Sequence, residues 1–157
     1  MKIEVGRKAH DFELFDSEMK LRKLSEFLGA KVVIAFFPAA FTPVCEMEMC
    51  HFRDSLANLN EMEVQVVGIS VNDPFTLKAF AERNNLNFAL LSDYNHKVTQ
   101  LYGIALENLA GLTGYVVAKR SIFILDEEGI VRYKWVSDDP LIEPNYAEIR
   151  NVVAQIT

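Results

Sequence analysis

Two stretches of this chain lack any alternation of apolar and polar residues. Residues 31–37 read Lys-Val-Val-Ile-Ala-Phe-Phe, and residues 64–71 read Val-Gln-Val-Val-Gly-Ile-Ser-Val. Unbroken β-branched and aromatic runs mark strands buried on both faces, a burial that arises when helices cover a parallel sheet from either side. Both runs are therefore read as central strands. Between them, residues 43–58 and the Leu59 that follows place Val44, Met47, Phe52, Leu56 and Leu59 at roughly helical intervals. Thr42 stands as a candidate N-cap and Pro43 occupies the first helical position. The unit reads as a βαβ crossover, the connection that parallel strands require.

The remaining chain extends this plan. Asn72 or Asp73 can cap a helix running from Pro74 through Phe75, Leu77, Ala79 and Phe80 to about residue 84. Residues 88–91 read as a third short strand and 95–102 as a short helix. Residues 121–125 and 130–136 form an antiparallel pair around the acidic loop Asp126-Glu127-Glu128-Gly129. Residues 145–156, with Tyr146, Ile149, Val152, Val153 and Ile156, read as a closing amphipathic helix. The sum is an α/β protein with a mixed β-sheet covered by helices on both faces, in the order of a thioredoxin-like fold. At 157 residues, half of them apolar, the chain is expected to form a single domain over 1–157.

Charge and hydropathy narrow the function. Sixteen Lys and Arg against 22 Asp and Glu give a net charge of −6, which works against a nucleic-acid partner. The longest nearly apolar run, 32–41, holds ten residues and contains Pro38, whereas a membrane span needs about 20. The opening Met-Lys-Ile-Glu-Val-Gly lacks an apolar signal stretch, so a cytoplasmic location with no membrane partner is expected. Two cysteines, Cys45 and Cys50, are too few for a disulfide scaffold and suggest reactivity.

In open α/β sheets chemistry gathers where a strand's carboxyl end meets the next helix, here residues 38–50. Cys45 falls in the first helical turn, where unpaired N–H groups and the helix dipole favour an anion and so a thiolate. Glu46 and Glu48 oppose a second negative charge, so a cation has to come from elsewhere. Arg120, immediately before the strand at 121–125, is the candidate. Glu48, three residues beyond Cys45 on the same helix face, is placed to hold that guanidinium in a bidentate pair.

The spacing Pro38-x-x-x-Thr42-x-x-Cys45 resembles the active-site motif of the peroxiredoxins, thiol peroxidases on a thioredoxin-like fold. The resemblance extends through Gly6-x-x-Ala9-x-Asp11-Phe12-x-Leu14, Glu48 and Arg120. It implies that Cys45 is the peroxidatic cysteine, that Thr42 helps to hold the peroxide, and that Pro38 shields the sulfur from water. It further implies that Arg120 stabilises the thiolate and binds peroxide, that Glu48 positions Arg120, and that the N–H groups of Val44 and Cys45 complete the substrate site. Cysteines separated by four residues are similar to the peroxiredoxin-Q, or bacterioferritin comigratory protein, group. Phe36-Phe37-Pro38-x-Ala40-Phe41-Thr42, Arg53-Asp54 and Leu90-Leu91-Ser92-Asp93 look more like the alkyl hydroperoxide reductase E group. His10, Val44 and Glu46 depart from residues common in these groups.

Cys50 is the expected partner for a sulfenic acid on Cys45, which needs a thiol before further peroxide drives it to the irreversible sulfinic form. Two helical residues five apart lie roughly 8.7 Å apart at Cα, since the rise is about 7.5 Å on a radius of about 2.3 Å. A disulfide tolerates about 4.4–6.8 Å, so bonding requires the first turn to unwind. The expected activity is reduction of hydrogen peroxide and small organic hydroperoxides, with a thioredoxin-like dithiol as reductant and a homodimer as the preferred assembly. No prosthetic group is implied. His51 beside Cys50 lacks the further ligands that a metal needs. The alternatives are a peroxide-sensing switch and a thiol–disulfide oxidoreductase, although the latter usually carries Cys-x-x-Cys, absent here. Met47, Met49 and Met62 are expected to fill core gaps, and Tyr133 and Trp135 to pack.

Overall fold

In a computed structural model describing residues 3–156, the chain enters through an antiparallel hairpin of β1 (Glu13–Asp16) and β2 (Leu21–Lys23). The Asp16 carboxylate closes its turn by accepting from the N–H groups of Glu18 and Lys20. There follow β3 (Lys31–Phe36), α1 (Pro43–Glu61), β4 (Val64–Ser70), α2 (Pro74–Asn84), β5 (Ala89–Ser92) and α3 (Lys97–Leu101). A two-stranded ribbon of β6 (Ala105–Leu106) and β7 (Val117–Ala118) precedes β8 (Ser121–Leu125), β9 (Val131–Val136) and α4 (Tyr146–Gln155). No helix among the described residues is long and apolar enough to cross a membrane.

The main sheet has the order β2-β1-β5-β4-β3-β8-β9. The three strands joined by helical crossovers are parallel, with Val33 opposite Val66 and Ile69 opposite Leu91. Strand β8 runs antiparallel to β3, and β9 to β8. Helices cover both faces, as the unbroken apolar runs require. Val32, Ile34 and Phe36 of β3 face a core shared with Phe12, Val98 and Tyr102. Val33 and Ala35 face the other core, filled by Met49, Phe52 and Leu59 of α1, Phe80 of α2 and Ile149 of α4. Gly68 in β4 leaves room for the Leu90 side chain of neighbouring β5: a Cβ there would lie 2.7 Å from Leu90 Cδ2, with Met49 Sδ of α1 at 3.4 Å.

Three local expectations change. The hairpin β1–β2 and the β6–β7 ribbon have no counterpart in the sequence reading, because strands of two, three or four residues are too short to show a period. The inward face of α1 is Cys45, Glu48, Met49, Phe52, Leu56 and Leu59; Val44 is half-buried and Met47 is 52 % exposed, so Met47 fills no core gap. A buried carboxylate at Glu48 disguised the helical stripe, since the position reads as polar in the sequence. Thr42 stands at the N-cap position without capping: its hydroxyl donates to the carbonyl of Ala39 at 2.7 Å. At α2 Asp73 is the cap, accepting from the N–H of Thr76, and Asn72 has another task.

Candidate active site

The site assembles where β3 ends. Phe36, the last residue of β3, pairs with Ser121, the first of β8, and this antiparallel register carries Arg120 to the start of α1. The loop from Pro38 to Thr42 makes the turn, with Phe41 in the left-handed region at φ 67°, a conformation costly for an aromatic residue. Asn72 holds that loop: its Oδ1 accepts from the N–H of Ala40 at 2.8 Å and from the hydroxyl of Ser70 at 2.9 Å. The first backbone bond of α1 runs from the N–H of Glu46 to the carbonyl of Thr42, so the N–H groups of Val44 and Cys45 belong to the unfilled first turn.

Cys45 is completely buried and its Sγ accepts a hydrogen bond from Arg120 Nη2 at 3.2 Å. Arg120 is 1 % exposed, and its Nη1 lies 2.7 Å from Glu48 Oε1. The pair is single-handed, because Glu48 Oε2 is buried with no hydrogen-bond partner; the bidentate arrangement expected from the sequence is absent. One guanidinium thus joins sulfur and carboxylate and supplies the missing cation. Burial works against the charge on Arg120, but Glu48 and the sulfur outweigh it and hold its pKa above the ordinary value. Glu46, expected to disfavour the thiolate, faces Arg83 at 3.9 Å on the surface instead.

Burial is the dominant influence on Glu48. It lifts the carboxyl from 4.5 to about 7 against the pull of Arg120, with Glu143 adding to the rise. Between these two values the unfolded chain has released the proton that the native state still holds, so stability falls as pH rises. The contribution lost by about pH 7 and above is on the order of 3 kcal/mol. Denaturant unfolding at pH 5 and pH 8 should therefore show wild type losing stability relative to Glu48→Gln, whose amide does not titrate. Parallel behaviour of the two proteins would mean that Glu48 is ionised throughout.

The remaining candidates divide into two places. Pro38, Thr42, Val44 and Arg120, with Leu109 and Leu141, line one cavity of about 400 Å³ whose walls are almost wholly apolar. Cys50 lies elsewhere: it is half-buried, and its Sγ is 3.5 Å from Asn84 Oδ1 at the end of α2. Both thiols are free. His51 stacks on Tyr146 at 3.6 Å, its Nε2 is buried without a hydrogen-bond partner, and burial lowers its pKa. No cluster of three or more His, Cys, Asp or Glu suited to a metal occurs among the described residues.

Sequence reasoning missed Asn72 as the loop anchor, the carbonyl of Pro140 beside Arg120, and Asn84 beside Cys50. Asn72 carries a faint signal as one of two residues able to cap α2; a backbone carbonyl carries none.

Residues 5–134 match the model of the AhpC/TSA family. The chain is 35% identical over 136 residues to Peroxiredoxin Bcp of Bacillus subtilis, an alignment covering 86% of each protein. It is 37% identical over 131 residues to the chloroplastic Peroxiredoxin Q of Populus jackii, covering 83% of this chain and 59% of that protein. Among solved structures it superposes on Peroxidoxin BcpB of Mycobacterium tuberculosis with a TM-score of 0.83 and 32% identity, covering 98% of this chain and 96% of that one.

Proposed function

Because this chain belongs to the AhpC/TSA family and is a peroxiredoxin, a thiol-dependent peroxidase, we propose that Cys45 is its peroxide-cleaving nucleophile and that Cys50 resolves the product. The observation that carries this reading is the 3.2 Å contact from Arg120 Nη2 to Cys45 Sγ, both residues being buried. A sulfur that accepts from a buried guanidinium has a fixed cationic donor beside the lone pair that attacks the peroxide.

The thiolate attacks one oxygen of the hydroperoxide in line. An S–O bond forms as the O–O bond breaks, and the departing oxygen gathers negative charge until it takes up a proton and leaves as water or alcohol. Arg120 and the N–H groups of Val44 and Cys45 are fixed donors for that growing charge, and Thr42 orients the peroxide at the cavity wall. Pro38 keeps bulk water from the sulfur. The apolar cavity suits organic hydroperoxides as well as hydrogen peroxide. The Cys50 thiol then condenses with the Cys45 sulfenic acid, releasing water and forming a disulfide that an external thioredoxin-like dithiol reduces.

Both cysteines are helical residues of α1, and Cys50 is turned toward α2, so the disulfide requires the first turns of α1 to open. Mass spectrometry of protein treated with one equivalent of peroxide should find an intramolecular Cys45–Cys50 link. A persistent sulfenic acid, or intermolecular links alone, would remove Cys50 from the cycle; oxidation without turnover by a dithiol would make the protein a sensor.

A further inference from the structure

Arg120 is gripped from a second side by the segment between β9 and α4. Its Nε and Nη2 both donate to the carbonyl oxygen of Pro140, at 3.2 and 2.7 Å. These two N–H groups form one edge of the planar guanidinium, which leaves Nη1 and the second proton of Nη2 for Glu48 and Cys45. Glu48 contributes a single hydrogen bond at Nη1 and Cys45 one at Nη2, while the Pro140 carbonyl takes both donors of the opposite edge, so the planar fork is held from two sides.

The carbonyl is presented by a tied turn. Ser137 N–H donates to the Arg120 carbonyl at 2.9 Å, so the segment starts from the arginine's own backbone. The Ser137 hydroxyl donates to the Asp139 carbonyl at 2.8 Å and accepts from the Asp139 N–H at 3.1 Å. Asp139 Oδ1 in turn accepts from the N–H of Leu141 at 2.9 Å, spanning Pro140. Proline has no N–H of its own, so within this turn only its carbonyl is available, and it faces Arg120.

We propose that this strap positions the guanidinium for catalysis, with Ser137 and Asp139 as positioning residues that aim the Pro140 carbonyl and thereby turn Arg120 toward the sulfur. The proposal rests on the reading that Arg120 acts on Cys45. The test compares Ser137→Ala/Asp139→Ala, Asp139→Ala alone, Asp139→Asn and Arg120→Ala by stopped-flow oxidation of Cys45 with hydrogen peroxide, alongside thermal unfolding. Loss of a hydrogen bond to a charged group corresponds to about tenfold in rate. The double variant should oxidise about tenfold more slowly, with Asp139→Asn, which keeps an acceptor for Leu141, within about twofold of wild type. Slowing shared equally by Asp139→Asn and accompanied by a lower unfolding temperature would overturn the proposal in favour of plain destabilisation. An unchanged rate in the double variant with a slowed Arg120→Ala would overturn the strap alone. An unchanged rate in Arg120→Ala as well would overturn the underlying reading of the arginine.

Discussion

Cys45→Ser is expected to consume no hydroperoxide, in the first turnover or in any later one, with a loss on the order of 10⁴-fold or more. A serine hydroxyl at the same helix start stays protonated at neutral pH, so the guanidinium at 3.2 Å has no anion to stabilise. Cys50→Ser should behave differently: Cys50 lies outside the contacts of Arg120, Glu48 and Cys45, and its removal leaves the first oxidation at the wild-type rate while stopping dithiol-driven recycling. Single-turnover stopped flow separates the two variants from steady-state peroxide consumption. First-turnover activity in Cys45→Ser would place the reacting sulfur at Cys50, and steady turnover in Cys50→Ser would show that resolution comes from outside the chain.

Arg120→Met is expected to damage both rate and stability, for separable reasons. The rate falls by about 10²–10³-fold because a fixed donor to the developing oxyanion is gone. Stability falls by about 3–5 kcal/mol because breaking one side of a buried ion pair leaves Glu48 without a partner. The stability loss should be larger at pH 8 than at pH 5, since burial already favours the protonated form of Glu48 and at the lower pH the carboxyl simply stays neutral. A second change, Glu48→Leu in the Arg120→Met background, should recover most of the stability and none of the rate. Recovery of the peroxide rate in that double variant would show that the guanidinium serves packing and charge balance rather than the oxygen–oxygen cleavage.

The legible and illegible parts of this site differ in range. The motif Pro38-x-x-x-Thr42-x-x-Cys45 lies within eight residues, and its consequences follow from a strand end, a proline at a helix start and the unfilled N–H groups of one turn. Arg120 was legible for a related reason: it precedes a strand, and a residue at a strand's end faces whatever the neighbouring strand delivers there. That β8 lies beside β3 in the register Phe36 to Ser121 is what turned adjacency to a strand into contact with a sulfur 75 residues away. Glu48 was visible as a partner on the right helix face, but not as a one-oxygen partner, since its second oxygen depends on what the far side of the core offers.

The order of residues alone determined the parallel centre of the sheet, the cysteine at a helix start and the carboxylate one turn beyond it, because these follow from covalent spacing and from forces acting within a turn. The tertiary structure decided which way α1 rolls, so that Glu48 is buried and Met47 is exposed, and that Asn72 ties the loop before the cysteine. It also brought the carbonyl of Pro140 onto the second edge of Arg120. Every peptide unit carries a carbonyl, so nothing in a side-chain sequence distinguishes the one that a fold aims at a buried guanidinium.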